Sequence, residues 1–250
     1  MSSRSLYKAF SLTEVLLAVA TLAIGMLFIA GTFLAGIYLT TVAAERTTAA
    51  VVADEAFAKI KLYGINPADP NLFVGPLRRF EDVAARRPVP AEEFAYPSTQ
   101  VDISEKQYYW SALCQHVDPN GASRPSRLVQ VTVFVSRKTA SAASYQGGAG
   151  RPIPMTVRIL ATPGSNVLTG LPVANATWIN DGCTIVDDKT GQIYRVLQRR
   201  DAVPGAFPGP TIELDRPWEG AFGDRVWVVP PPIGGGKDPC IAVSQKVIRF

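Results

Sequence analysis

The sequence predicts an α+β protein: a long N-terminal transmembrane and amphipathic α-helix packed on an antiparallel β-sheet, with a further C-terminal group of short β-strands. Three observations carry this. No Asp, Glu, Lys or Arg occurs from Val15 to Ala44, and at about 1.5 Å per helical residue that run exceeds the roughly 30 Å hydrocarbon core of a bilayer. No Pro occurs before Pro67, so nothing interrupts one helix from Phe10 to Tyr63. Beyond Tyr63 the apolar period changes from helical to alternating, in short stretches punctuated by Pro and Gly. The expected organisation is a leader at 1–9, the helix at 10–63 with its span over about 15–40, a loop region and antiparallel sheet at 64–162, and a C-terminal β module at 163–250.

Within the helix, Ser11-x-x-Glu14 ahead of the apolar run is a capping box by residue type. The second half changes character. Ala49, Val52, Ala53, Ala56, Ile60 and Tyr63 recur at helical spacing, while Glu45, Arg46, Asp54, Glu55, Lys59 and Lys61 take the other faces. The first half is therefore apolar all round and the second is suited to lie on a sheet. Gly64, followed by Ile65-Asn66-Pro67, is the expected stop.

From 64 to 105 the chain is rich in Pro and charge, with a short helix expected around Leu77–Ala85 and Arg78, Arg79, Arg86 and Arg87 on a solvated face. Strands are expected at Gln107–Val117 and Leu128–Arg137, joined by the turn Asp118-Pro119-Asn120-Gly121, and at Met155–Ala161 as a third member of that sheet. A second group follows at Thr184–Val186, Ile193–Gln198, Thr211–Leu214, Val226–Val229 and Ile241–Ile248, as in a small sandwich or barrel. Asp187 to Gly191 is its first hairpin loop. Whether the two groups form one sheet or two domains is left open by periodicity. Tyr108, Tyr109, Trp110, Trp178, Trp218 and Trp227 are expected in the core or in cross-strand pairs more than on a binding face.

Composition excludes several function classes. The net charge of +4 includes Arg4 and Lys8 of the leader, and without them 23 basic face 21 acidic residues, so no basic stripe calls for nucleic acid. The single histidine, His116, lies in a strand beside a turn, which suits a structural role better than a general base. No phosphate-binding loop, nucleophile elbow or His pair for a metal is present. The expectation is no enzyme and no cofactor. Cys114, Cys183 and Cys240 allow at most one bridge, and Cys183 with Cys240, in the same strand group, is the candidate pair.

A basic leader, then a small residue, then Phe10-Ser11-Leu12-Thr13-Glu14-Val15-Leu16-Leu17 resembles the processing segment of type IV pilins and type II secretion pseudopilins. The resemblance covers about residues 8–63 and leaves the β portion without an assigned function. It implies cleavage between Ala9 and Phe10 by a prepilin peptidase, N-methylation of Phe10, and an assembly role for Glu14, which in that family pairs with the terminal amine of a neighbouring subunit. Ala9 stands where the family usually has Gly, and Gly31 stands where major pilins often carry a helix-kinking Pro, which suits a minor subunit. The partners implied are the peptidase and methyltransferase, other pilin or pseudopilin subunits, and the bacterial inner membrane, with the C-terminal domain extracytoplasmic and then in a pilus or periplasmic pseudopilus. Some pseudopilins bind calcium, which brings forward Asp181, Asp187 and Asp188, but their spacing lacks a full ligand pattern and a hairpin is the expected role. The alternative function is an unprocessed single-span anchor carrying an extracytoplasmic binding module.

Overall fold

A computed structural model describes residues 11–66, 72, 76–86, 88–98, 102, 106–117, 127–140, 143–148, 150–201, 209–220, 222 and 225–250. Ala9, Phe10, Arg87 and the turn from Asp118 to Gly121 lie outside the described residues. The chain falls into two units, Met1–Arg46 and Thr47–Phe250. Its fold is α+β, with one long helix, α1 (Leu12–Tyr63), and two antiparallel sheets.

In the first unit α1 is apolar and bare. Every residue from Ser11 to Thr41 is exposed, and the most apolar window has a mean hydropathy of 2.3 with none of it buried. This is one helix long and apolar enough to cross a membrane. Several threonine hydroxyls are satisfied within the helix: Thr21 donates to Leu17 O (3.1 Å), Thr32 to Ile29 O (2.9 Å) and Thr41 to Ile37 O (2.9 Å). An unbonded hydroxyl in hydrocarbon would cost several kcal/mol, so this arrangement suits an apolar surrounding.

In the second unit the end of α1 becomes a core element. Ala49, Val52, Ala53, Ala56, Phe57 and Ile60 are buried, and the alanines let the helix approach a sheet closely. That sheet holds β1 (Arg78–Arg79), β2 (Ala95–Tyr96), β3 (Tyr108–His116), β4 (Leu128–Arg137) and β11 (Cys240–Arg249), in the order β1-β3-β4-β11 with β2 also on β3. Trp110, Ala112, Cys114, Val129, Val131, Val133, Val135 and Ile248 form the face beneath the helix. Gly64 ends α1 with φ 71°, returning its N–H to Ile60 O at 2.9 Å, a conformation that an L side chain resists. The expected helix at Leu77–Ala85 is only the turn Phe80–Val83, because Arg78 and Arg79 before it pair with Cys114 and Leu113, respectively. Arg79 is not on a solvated face: it is half-buried and donates to Pro154 O at 3.1 Å.

The second sheet runs β5 (Met155–Arg158), β10 (Arg225–Val228), β7 (Thr184–Asp187), β8 (Ile193–Arg200), β9 (Thr211–Leu214), β6 (Val167–Leu168). It closes on itself. Asp188 N–H bonds Arg225 O, so Arg225 faces β7, and Val226 and Val228 face Val157 and Met155 of β5. By alternation Leu160 faces the opposite way, where it exchanges both backbone bonds with Thr169 just after β6 (2.7 and 2.8 Å). The result is a six-stranded barrel. Its interior takes alternate residues, among them Val157, Ile185, Tyr194, Val196, Ile212, Leu214, Val226 and Val228, with Trp218 stacked on Tyr194 at 4.8 Å.

Two expectations of strand membership are corrected here. The strand beginning at Met155 belongs to the barrel and not to the first sheet, and the last strand leaves the barrel group to pair with β4 over Leu128–Ser136. Between sheet and barrel lies a third apolar layer, Leu77, Leu113, Phe134, Val186, Trp227 and Val229, formed by the residues that alternation turns away from the other two cores. The barrel hairpin after β7 docks on the sheet through amides: Gln115 Nε2 donates to Thr190 O (3.0 Å) and Gln245 Nε2 to Gly191 O (2.9 Å). Gly191 has φ 70°, a conformation that calls for glycine, and lies against the side-chain amides of Gln130 and Gln115.

Candidate functional site

The sequence points to the head of α1, and its local geometry is set by Ser11. Ser11 sits before the first helical residue, where backbone N–H groups lack helical partners. Its Oγ accepts from Glu14 N–H at 3.2 Å, and Glu14 Oε2 accepts from Ser11 N–H at 3.0 Å. This is a complete reciprocal cap, and a carboxylate here also meets the positive end of the helix dipole. Glu14 is exposed, with Val15, Ala18, Val19 and Leu22 on the apolar surface that continues from it. Among the described residues no Lys or Arg pairs with Glu14. Ala9 and Phe10 lie outside the described residues, so of the processing and assembly residues only Glu14 is placed.

The other candidates are used inside the fold. Asp187 accepts from Lys189 N–H and Thr190 N–H, both at 3.2 Å, and so builds the hairpin turn. Asp188 accepts Trp227 Nε1–H at 2.5 Å and stands 3.6 Å from Arg225 Nε. Asp181 accepts Arg199 N–H at 2.7 Å. The three calcium candidates therefore have protein donors, and they are not gathered into one ligand set; among the described residues no group of three or more His, Cys, Asp or Glu could hold a metal ion. Cys114, Cys183 and Cys240 are free thiols. Cys183 lies in the barrel interior and Cys240 packs on the layer between barrel and sheet, and burial pushes the Cys183 thiol up to about 12. His116 ends β3 opposite Val129.

Sequence reasoning missed one polar centre. Arg151 is buried, donates to Trp110 O (3.2 Å) and Ser111 Oγ (2.6 Å), pairs with Glu81, and lies 4.1 Å above the Phe94 ring. Burial lowers its pKa, opposed by Glu81. These partners fasten the segment before β5 to β3, to the Phe80–Val83 turn and to Phe94, which is a structural role. An arginine in a Ser- and Gly-rich stretch carried no signal of this.

No family model, no curated protein and no solved structure matches the chain.

Proposed function

We propose that the chain is a minor pilin or pseudopilin, cleaved between Ala9 and Phe10, N-methylated on Phe10, and incorporated through α1 into a type IV pilus or a type II secretion pseudopilus. One observation carries the reading. A single unbroken helix, Leu12–Tyr63, has a bare apolar half headed by Glu14 and a second half that is the core of a β domain. Such a helix anchors the subunit in the inner membrane, with the β domain outside the cytoplasm, and can move from lipid into a bundle of like helices. A carboxylate this near hydrocarbon costs up to about 3 kcal/mol without a cationic partner, and the terminal amine of a neighbouring subunit supplies one.

The reciprocal cap favours a second reading, because Glu14 already has a local role with Ser11. An unprocessed anchor carrying an extracytoplasmic binding module needs nothing more of it. Two measurements separate the readings. Intact-mass and N-terminal peptide mass spectrometry on protein from its own cells is expected to find a chain starting at N-methyl-Phe10; a start at Met1 or Ser2 supports the plain anchor. Glu14→Gln keeps the cap, since Gln serves in a capping box as Glu does, but removes the charge. It is expected to insert and fold normally yet be absent from sheared filaments, as is Glu14→Ala; wild-type recovery of Glu14→Gln would reduce Glu14 to a cap.

A further inference from the structure

β11 is the outer strand of its sheet, and its far edge is open. Phe250 N–H bonds Arg127 O, and Val117 N–H bonds Leu128 O, so the odd-numbered residues of β4 face β11. Through the register Val129↔Ile248, Val131↔Lys246, Val133↔Ser244 and Val135↔Ala242, the even-numbered residues of β11 face β4 in return. The backbone N–H and C=O groups of Val243, Gln245, Val247 and Arg249 therefore point away from the sheet. Among the described residues no strand pairs with them, and Gln245, Val247 and Arg249 are exposed.

Proline and β-bulges, two usual protections of a free edge, are absent from Val243–Arg249. The register shift of β11 lies at Cys240/Ala242, before this stretch, and no Pro or Gly follows it to Arg249. Lysine often guards such an edge by reaching into water. Here Lys246 is exposed but leans toward α1, with Nζ 2.7 Å from Asp54 Oδ1 and 4.6 Å from the Phe57 ring centre. At the end of the edge Arg127 and Arg249 are both exposed, and neither has an ion partner among the described residues.

We infer that β11 receives an extended strand of a partner protein, added along Val243–Arg249, with an apolar side chain beside Val247 and an acidic one beside Arg249. Main-chain bonds supply affinity in this mode and the flanking side chains supply selectivity. A second copy is disfavoured, in a step that rests on the membrane and filament reading above. Two β11 strands paired through a two-fold axis would run the Thr47–Tyr63 part of α1 in opposite directions, which one membrane or one filament cannot accept.

The test uses the full chain in detergent and a short dye-labelled strand-forming peptide whose valine and glutamate stand two positions apart, so that both fall on the face that carries Val247 and Arg249. Two control peptides have lysine in place of glutamate, or N-methyl groups on alternate amides. The valine–glutamate peptide is expected to bind and to protect the amides of Val243, Gln245, Val247 and Arg249 from hydrogen exchange, with affinity at least about tenfold above either control. Val247→Pro removes an outward N–H only, so the ladder to β4 stays intact, and it is expected to lower affinity by a similar factor at unchanged strand content. Equal binding of the N-methylated or lysine peptide, no binding at all, or edge amides protected in the free protein in a concentration-dependent way would overturn the proposal. Should Val247→Pro unfold, the N-methylated peptide still decides. A chain found to start at Met1 would refute the filament reading while leaving the peptide result standing.

Discussion

At the scale of single residues, Asp238 is the group whose environment makes a sign-definite statement. It precedes β11, and its Oδ1 accepts Cys240 N–H at 2.9 Å. Burial pushes its carboxyl up to about 6 from the usual 3.8, against the pull of that bond and of Lys237. A raised folded-state pKa means that the folded protein holds the proton more tightly than the unfolded chain. Below the unfolded value both states are protonated and Asp238 costs nothing; its penalty develops as pH rises from 3.8 to about 6 and is complete above that. Asparagine keeps the oxygen that Cys240 N–H needs and cannot ionise. Asp238→Asn is therefore expected to be more stable than wild type at neutral pH, by roughly 1–3 kcal/mol, and equal to it near the lower end of that window. Urea unfolding in detergent at both ends checks this, and a difference independent of pH would show that Asp238 is not the titrating group.

Elements differ in how much of themselves they wrote into the sequence. α1 was legible because its signals are local: charge-free length, helical spacing of Ala49 to Ile60, and Gly64 at its end. β4 and β9 were legible from alternation alone, with Leu128–Arg137 and Thr211–Leu214 as expected. The partner of β11 was not, since alternation identifies a strand and says nothing of which strand lies beside it. β1, β2 and β6 have two residues each, too few to show a period. At the candidate site, the pattern Ala9-Phe10 with Glu14 was visible as residue types, and so was the Ser11–Glu14 cap; the docking amides of Gln115 and Gln245 were not, being far apart in the chain. The two halves of α1 yield a contrasting prediction. Phe57 is 4% exposed in the core, whereas Phe28 is 72% exposed on the bare half. Phe57→Ala is expected to lower the stability of the β domain by about 3–5 kcal/mol, and Phe28→Ala to leave it within about 0.5 kcal/mol. Denaturation in detergent, followed by circular dichroism of the strands, would measure both; equal losses would mean that the apolar half is part of the domain core.

Over the second unit as a whole, the chain route ties sheet and barrel into one problem. β1 to β4 are laid down first, β5 to β10 build the barrel, and only β11 returns to complete the sheet. The loop between β4 and β11 thus encloses the whole barrel, and its closure entropy is most easily met once the barrel has drawn its ends together. Trp227 holds the join. Its ring packs with Leu113 and Phe134 of the sheet, and its indole donates to buried Asp188, whose own carbonyl accepts Leu77 N–H at 2.8 Å. Trp227→Ala would remove that apolar volume and leave the Asp188 carboxylate without its indole donor, a loss of about 3–5 kcal/mol. The expected consequence is uncoupling. In the wild type, the slowest-exchanging amides of β4 and β8 should share one opening free energy, as in a single cooperative unit. In Trp227→Ala the β4 and β8 values should separate, because each layer keeps its own interior core while the shared layer is breached. Native-state hydrogen exchange reads this directly: values already separate in the wild type would make sheet and barrel independent, and values that fall together in the variant would place the join elsewhere, in the hairpin that Gly191 fits against Gln130 and Gln245.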